Sequence, residues 1–147
     1  MAVFEIDCEK KTPLHLACEY GAAPAVIKRI VQANKDATIE RDIYGMLPIH
    51  RVCESYLDRV DSHLSDEDAE YCLMEVVQGL LGVHPDAILI EDYKEMNPIE
   101  YALEAELNLA IIQILQKASE RQHNKKVSEQ YGNMMNDNFM YNSRISV

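Results

Sequence analysis

The chain has 147 residues, 14 basic and 25 acidic, and a formal net charge of −11 at pH 7. This length predicts one domain with room for a sizeable core. The charge argues against nucleic acid as a partner, because phosphate binding needs a clustered basic face and the sequence has none. No apolar run is long enough to span a bilayer, and the N-terminus lacks the pattern of a secretory signal. We therefore expect an intracellular protein, cytoplasmic or nuclear, with no membrane span, that is monomeric when isolated.

The clearest pattern lies at residues 11–21, which read Lys-Thr-Pro-Leu-His-Leu-Ala-Cys-Glu-Tyr-Gly. Thr12 suits the cap of a helix, Pro13 suits the first helical position, and Gly21 ends the segment. A second proline-initiated helix follows at Pro24, with an apolar stripe formed by Val26, Ile27, Ile30 and Val31. The unit is a helix, a tight turn and a second helix.

This unit returns twice along the chain. Four identities recur at an offset of 35: Pro13 and Pro48, His15 and His50, Cys18 and Cys53, Glu19 and Glu54. The third copy begins near residue 92 and places Pro98 at an offset of 50 from Pro48. The sequence therefore contains three related units, and the third arrives 15 residues late.

The surplus residues belong between the two helices of the second unit. Val26-Ile27 matches Val76-Val77 at offset 50, whereas the first helices of the same two units match at offset 35. The insertion therefore lies within residues 55–72. Since Ser65 precedes three acidic residues, we expect the second helix to start near Asp66 and to end at about Leu81.

The segment Thr12-Pro-Leu-His-Leu-Ala17 matches the Thr-Pro-Leu-His-x-Ala signature of ankyrin repeats, and the chain resembles an ankyrin-repeat protein. The resemblance implies an all-α fold, an ankyrin-like α-solenoid of stacked helix-turn-helix repeats with hairpin-like loops. The repeat domain is expected at 1–118, with repeats at about 7–39, 42–89 and 92–118. Residues 119–147 form a polar extension, helical to about Gly132 and then flexible. The third repeat departs from the signature, with Glu95 at the turn glycine and Glu100 at the histidine.

The resemblance also implies a binding surface, formed by the hairpin tips and the exposed side of each first helix. The matching positions are Glu9, Lys11, Glu19, Tyr20, Ile43, Tyr44, Met46, Glu54, Tyr93, Lys94, Met96 and Glu104. Five of these are large apolar or aromatic residues, as a binding hot spot requires: Ile43, Tyr44, Met46, Tyr93 and Met96. The alternative is that these side chains pack onto the neighbouring repeats.

A second candidate surface lies in the insertion. Residues 54–75 contain eight acidic residues and one basic residue, Arg59, which gives a local charge of −7. The central carboxylates would either attract a basic partner or form a solvated face: Asp58, Asp61, Asp66, Glu67, Asp68 and Glu70. Ser65, followed by Asp-Glu-Asp, is also a candidate phosphorylation site for an acidophilic kinase.

The sequence gives little support for a metal site or for catalysis. His15-x-x-Cys18 and His50-x-x-Cys53 have the spacing of metal half-sites, but the resemblance assigns each histidine to a backbone hydrogen bond. Stacked helices also hold equivalent atoms roughly 10 Å apart, too far for one zinc ion with bonds of about 2.0–2.3 Å. We expect reduced cysteines and no cofactor. The sequence has no Gly-rich phosphate loop and no recognised nucleophile motif.

The function expected from the sequence is non-catalytic binding of a partner protein. One alternative is a structural subunit of a larger assembly, held by its acidic insertion and its C-terminal tail. The other is an enzyme of unrecognised type, which would need a deep pocket with converging titratable groups.

Overall fold

The computed structural model describes the backbone of residues 9–145 and the side chains of residues 9–132. This part of the chain contains six α-helices and two short 3-10 helices and no β-strand, which confirms the all-α class. The α-helices are α1 (Pro13–Glu19), α2 (Pro24–Ala33), α3 (Pro48–Arg59), α4 (Asp66–Val83), α5 (Pro98–Glu104) and α6 (Leu109–Ile145). The 3-10 helices are Lys35–Ile39 and Pro85–Leu89. Residues 1–8, where the first predicted repeat begins, and residues 146–147 lie outside the described residues.

Proline and a polar cap fix where the helices begin. Proline occupies the first position of α1, α2, α3 and α5, where its missing N–H costs no hydrogen bond. The side chain of Thr12 caps α1, and that of Asn97 caps α5 by accepting from the N–H of Glu100 at 3.0 Å. Glu100 in turn accepts from the N–H of Asn97 at 3.2 Å, so the divergent third unit keeps a complete capping box.

The predicted insertion is distributed over both helices of the second pair. Helix α1 has 7 residues and α3 has 12, while α2 has 10 and α4 has 18. The connecting loops span residues 20–23 and 60–65, so helices and loop together account for the 15 extra residues. Helix α4 begins at Asp66, as predicted, and continues two residues past Leu81.

Each helix pair contacts the next one along the chain. Helix α3 contacts both α1 and α5, while α2 contacts α4, and α6 contacts α5 and the second 3-10 helix. The hydroxyl of Tyr56, fully buried at the centre, donates to the carbonyl of Ala22 at 2.7 Å and ties the first pair to the second. The other large apolar side chains that are fully buried are Leu14, Leu47, Ile49, Leu73, Ile88, Ile111 and Leu115.

Helix α6 begins inside this core and leaves it. Ile111 and Leu115 are buried, whereas most side chains from Glu120 to Gly132 are exposed. The helix runs to Ile145, past Gly132, where the sequence predicted it to end. Within the described residues, no helix is both long enough and apolar enough to cross a membrane.

Candidate functional site

The predicted tip residues lie on hairpin turns that are built alike. The carboxylate of Asp42 accepts from the N–H groups of Tyr44 at 2.9 Å and Met46 at 3.0 Å. Asp92 makes the same two bonds, at the same distances, to Lys94 and Met96 in the next turn. Each aspartate side chain therefore closes its own turn and fixes which residues point outward.

A residue with positive φ completes each turn. Gly45 has φ of 75°, and Lys10 and Glu95, at the equivalent positions of the other two units, have φ of 61° and 62°. Glycine adopts this region without steric cost, whereas Lys and Glu do not. The third turn thus keeps the geometry of the second although its glycine is replaced.

Backbone hydrogen bonds join one turn to the next. The N–H of Ile43 donates to the carbonyl of Glu9 at 2.9 Å, and the N–H of Tyr93 donates to the carbonyl of Tyr44 at 3.1 Å. These bonds place three large side chains together on adjacent turns, and we call Ile43, Tyr44 and Tyr93 the tip cluster. Their exposed fractions are 42%, 44% and 69%.

Two arginines hold the rings of the tip cluster. The guanidinium carbon of Arg51 lies 5.5 Å from the ring centroid of Tyr44, and that of Arg41 lies 5.9 Å from the ring centroid of Tyr93. Arg41 is itself fixed, because its Nη1 donates to the carbonyls of Gly45 and Glu91, each at 2.9 Å. Cation–π contacts of this kind restrict the rings while leaving their outer faces accessible.

The ring of Tyr93 also covers the preceding turn. A Cβ atom added to Gly45 would lie 2.6 Å from the ring, so only glycine permits this approach. Gly45 therefore serves the turn twice, through its positive φ and through the space it leaves for Tyr93.

Two of the predicted contact residues are buried and a third is half-buried. Met46 is 3% exposed and belongs to the core, so the expectation that it forms part of a binding hot spot is wrong. Met96 is half-buried and packs against the core. Lys11 is buried, with its amine 2.8 Å from Glu9 and 2.9 Å from Glu19. For Met46 and Met96, the alternative that these side chains pack inward describes what the structure has.

The other predicted contact residues are at least partly accessible. Tyr20 is 55% exposed and packs its ring 5.0 Å from the guanidinium of Arg59, at the far end of the first helices. Glu54 is exposed and binds Arg51 at 3.1 Å, which brings it to the same arginine as Tyr44. Glu104 and Lys94 are also exposed.

The acidic insertion lies at the opposite end of α3 from the tip cluster. Five of its six carboxylates are exposed: Asp58, Asp61, Asp66, Glu67 and Asp68. Glu70 is half-buried and accepts a hydrogen bond from Asn108. Ser65 is exposed, and its hydroxyl accepts from the N–H of Asp68 at 3.1 Å, so it caps α4.

The two histidines with metal-like spacing bond the backbone. Nδ1 of His15 accepts from the N–H of Thr12 at 3.1 Å, so the proton resides on Nε2, which donates to the carbonyl of Met46 at 2.8 Å. His50 accepts from Leu47 at 2.9 Å in the same way and donates to the carbonyl of Met96 at 3.1 Å. Burial lowers the pKa of both imidazoles and favours this neutral form.

The cysteines beside these histidines are also buried. Burial raises the pKa of the Cys53 thiol to about 12 and raises that of Cys18 further, so both are protonated at neutral pH. In the described part of the chain, no group of three or more His, Cys, Asp or Glu side chains is arranged to hold a metal ion.

Neither a protein-family model nor a curated protein sequence matches this chain. The function is therefore argued from the geometry above.

Sequence reasoning missed the arginines that hold the tip cluster. Arg41 directly precedes the turn residue Asp42, and Arg51 directly follows His50 in α3, so the signal was a basic residue beside each of these two repeated positions. The spacing of the residues does not predict that the guanidinium of Arg51 reaches from α3 back over the turn, because that contact depends on how the helix packs.

Proposed function

We propose that this chain is an ankyrin-like α-solenoid that binds a partner protein without catalysing a reaction. It acts as an intracellular monomer, and its binding surface comprises the tip cluster and the exposed sides of α1, α3 and α5. The observation that carries the proposal is the pair Tyr44 and Tyr93, two exposed rings on hydrogen-bonded adjacent turns, each held by an arginine.

The repetition of contacts supports the ankyrin-like part of the proposal. Asp42 and Asp92 close their turns through identical bonds, and His15 and His50 each cap their own helix and donate to the next turn. Equivalent residues thus make equivalent contacts at offsets of 35 and 50.

Energetic reasoning supports the tip cluster as the anchor. Tyrosine and arginine are enriched among the residues that contribute most to binding, and a side chain that is already held loses little rotamer freedom when the partner docks. Tyr93 is held by Gly45 below and Arg41 beside it, and Tyr44 is held by Arg51. The two rings offer an apolar area with fixed geometry.

The charges around this surface indicate a partner with a basic rim. Glu19, Glu54 and Glu104 lie on the first helices, and Glu54 and Glu104 are exposed. With a chain charge of −11, a basic partner would be attracted over a distance of about 8–10 Å at physiological salt.

The test is affinity capture from native cell extract with the intact chain and with a Tyr44→Ala, Tyr93→Ala double variant. The matched control is Tyr71→Ala, Tyr131→Ala, which removes two tyrosines that are 61% and 62% exposed but lie on α4 and α6. We expect the Tyr44, Tyr93 variant to capture at least about tenfold less of the partner than the intact chain does, and the control to capture as much as the intact chain.

Circular dichroism of both double variants establishes that each is folded before capture. If the Tyr44, Tyr93 variant captures the same proteins in equal amount, the tip cluster is not the binding site. The acidic insertion and the C-terminal extension would then be the better candidates, as in the structural-subunit alternative.

A further inference from the structure

An apolar groove runs between the second helices, α2 and α4, and shares no residue with the tip cluster. Its volume is about 580 Å³. Ile27 and Val31 from α2 meet Val76 and Leu80 from α4 along its floor. A groove of this size between two helices has the dimensions of a binding site and not of a packing defect.

The α2 wall of the groove is basic, although the chain as a whole is acidic. Residues 24–35 contain Lys28, Arg29 and Lys35 and no acidic residue, in a chain whose net charge is −11. Lys28 and Lys35 line the groove and are exposed, and neither forms an ion pair within the described residues. The facing wall contributes one carboxylate, Glu75.

The α4 wall also permits a close approach. Gly79 lines the groove, and a Cβ atom added there would have no neighbour within 4 Å. A glycine on a helix face lets a second helix lie nearer to the backbone than any larger residue would.

We propose that this groove binds an amphipathic helix of a partner protein, with its apolar stripe on the groove floor and acidic residues against Lys28 and Lys35. Helix α2 has 10 residues, Pro24–Ala33, which corresponds to roughly 15 Å of helix and nearly three turns of the partner. The apolar residues of that helix recur at i, i+3 or i+4, and i+7.

The charge distribution selects this occupant over a second copy of the chain. Two copies would bring together two bodies of charge −11, and the repulsion between them opposes docking. The acidic insertion and the acidic first helices repel an acidic helix, whereas Lys28 and Lys35 of the α2 wall attract it. The other basic segment, residues 117–126 of α6, does not line the groove.

Two pairs of variants separate the groove from its surroundings. Gly79→Leu fills the groove, whereas Gly82→Leu places the same side chain three residues later on α4, outside the lining and also in open space. The double variant Lys28→Glu, Lys35→Glu reverses the charge of the α2 wall. Arg29→Glu reverses a neighbouring exposed charge that does not line the groove. Replacing a helical glycine favours the helix, so both leucine variants are expected to be at least as stable as the parent.

The probe is a displayed library of 14-residue peptides, randomised on a helix-favouring alanine framework and selected against the full chain. We expect the selected peptides to be acidic and amphipathic with the stated spacing. A labelled synthetic copy should bind Gly79→Leu and the double lysine variant at least about tenfold more weakly, and bind Gly82→Leu and Arg29→Glu within about twofold of the parent.

The proposal is overturned if no peptide is selected, if the selected peptides are basic or lack the spacing, or if Gly79→Leu binds them as the parent does. Sedimentation of the parent and of Gly79→Leu tests the other occupant. A parent dimer that Gly79→Leu converts to a monomer would show that a second copy fills the groove, which also overturns the proposal. Capture of a partner by the tip cluster is independent of all these results.

Discussion

Arg51 binds the buried carboxylate of Asp42 through two nitrogens, with Nη2 at 2.7 Å and Nε at 3.1 Å from Oδ2. The side chain of Asp42 is 0% exposed and that of Arg51 is 8% exposed. In the next unit the equivalent residues are Tyr101 and Asp92, and the hydroxyl of Tyr101 donates to the Asp92 carboxylate. The molecule therefore satisfies one buried turn aspartate with a cation and the other with a neutral donor.

Replacing Arg51 by Ala should lower the free energy of unfolding by about 3–5 kcal/mol, because Asp42 would stay buried without its cation. The measurement is urea denaturation at pH 7 followed by circular dichroism. Arg59→Ala is the control, since this arginine is exposed and its guanidinium forms a cation–π pair with the ring of Tyr20. We expect a loss of about 1 kcal/mol or less there.

The third unit supplies a second control for the same site. Arg51→Tyr should lose less stability than Arg51→Ala, because Tyr101 shows that a phenol can satisfy the equivalent aspartate. Equal losses in the two variants would contradict the role assigned to the Asp42 bond.

Stability should fall as the pH is lowered through about 6.5. Burial lowers the pKa of His15 and His50 in the folded chain, so below the ordinary pKa the unfolded chain binds protons that the folded chain does not. Each histidine then contributes a slope of up to about 1.4 kcal/mol per pH unit, with stability greater at the higher pH. Urea denaturation between pH 7.5 and 5 measures this slope.

Replacing one histidine should reduce that slope. His50→Gln retains an acceptor for the Leu47 N–H but does not titrate, and Glu100 shows that a side chain of this length can make the bond. The control is His123→Gln, since His123 is exposed on α6.

Asp92 does not confound the measurement. Burial raises the pKa of Asp92, but the hydrogen bonds that its carboxylate accepts outweigh this, and the net shift is downward. Any change of stability from protonating Asp92 therefore occurs below about pH 4.

Gly21→Ala should be strongly destabilising. Gly21 has φ of 70°, and a Cβ atom there would lie 2.5 Å from the backbone nitrogen of Val60 and 2.7 Å from the carbonyl carbon of Arg59. Because both neighbours are backbone atoms, α3 would have to move, and we expect a loss above about 2 kcal/mol. Gly79→Ala, on an open helix face, should instead gain about 1 kcal/mol in the same denaturation assay.

Glu95→Gly should stabilise the protein by about 1 kcal/mol. Glu95 is held at φ of 62° in a turn position where the second unit has Gly45. The control is Glu75→Gly, which places a glycine in the interior of α4 at an exposed position and should lose about 1 kcal/mol. A loss in Glu95→Gly would mean that the glutamate side chain makes a contact worth more than the backbone strain.

The starts of the helices were predictable because they depend on local chemistry, whereas the end of α6 was not. Proline at the first position, Thr12 and Ser65 as caps, and the offsets of 35 and 50 each act within a few residues or by simple counting. The same counting placed the insertion, although it could not divide the 15 residues among two helices and a loop. That division depends on how far each helix stays in contact with its neighbour.

The tip surface was less predictable, because a turn has no period that separates inward from outward residues. Met46 and Tyr44 lie two residues apart in one turn, yet one is buried and the other exposed. The two bonds to Asp42 decide this, since they curl the backbone and direct Met46 into the core. The arginines and the α2–α4 groove arise from docking between helices distant in sequence, which no local pattern encodes.

The histidines of α1 and α3 each tie one unit to the next as well as capping their own helix. His15 reaches the carbonyl of Met46, and His50 reaches those of Ile90 and Met96, so opening one turn costs a bond anchored in the preceding helix. Local fraying is thereby penalised, and the three helix pairs should open together. In native-state hydrogen exchange their slowest amides should share one free energy of opening, and His15→Ala should release the first pair at a lower value.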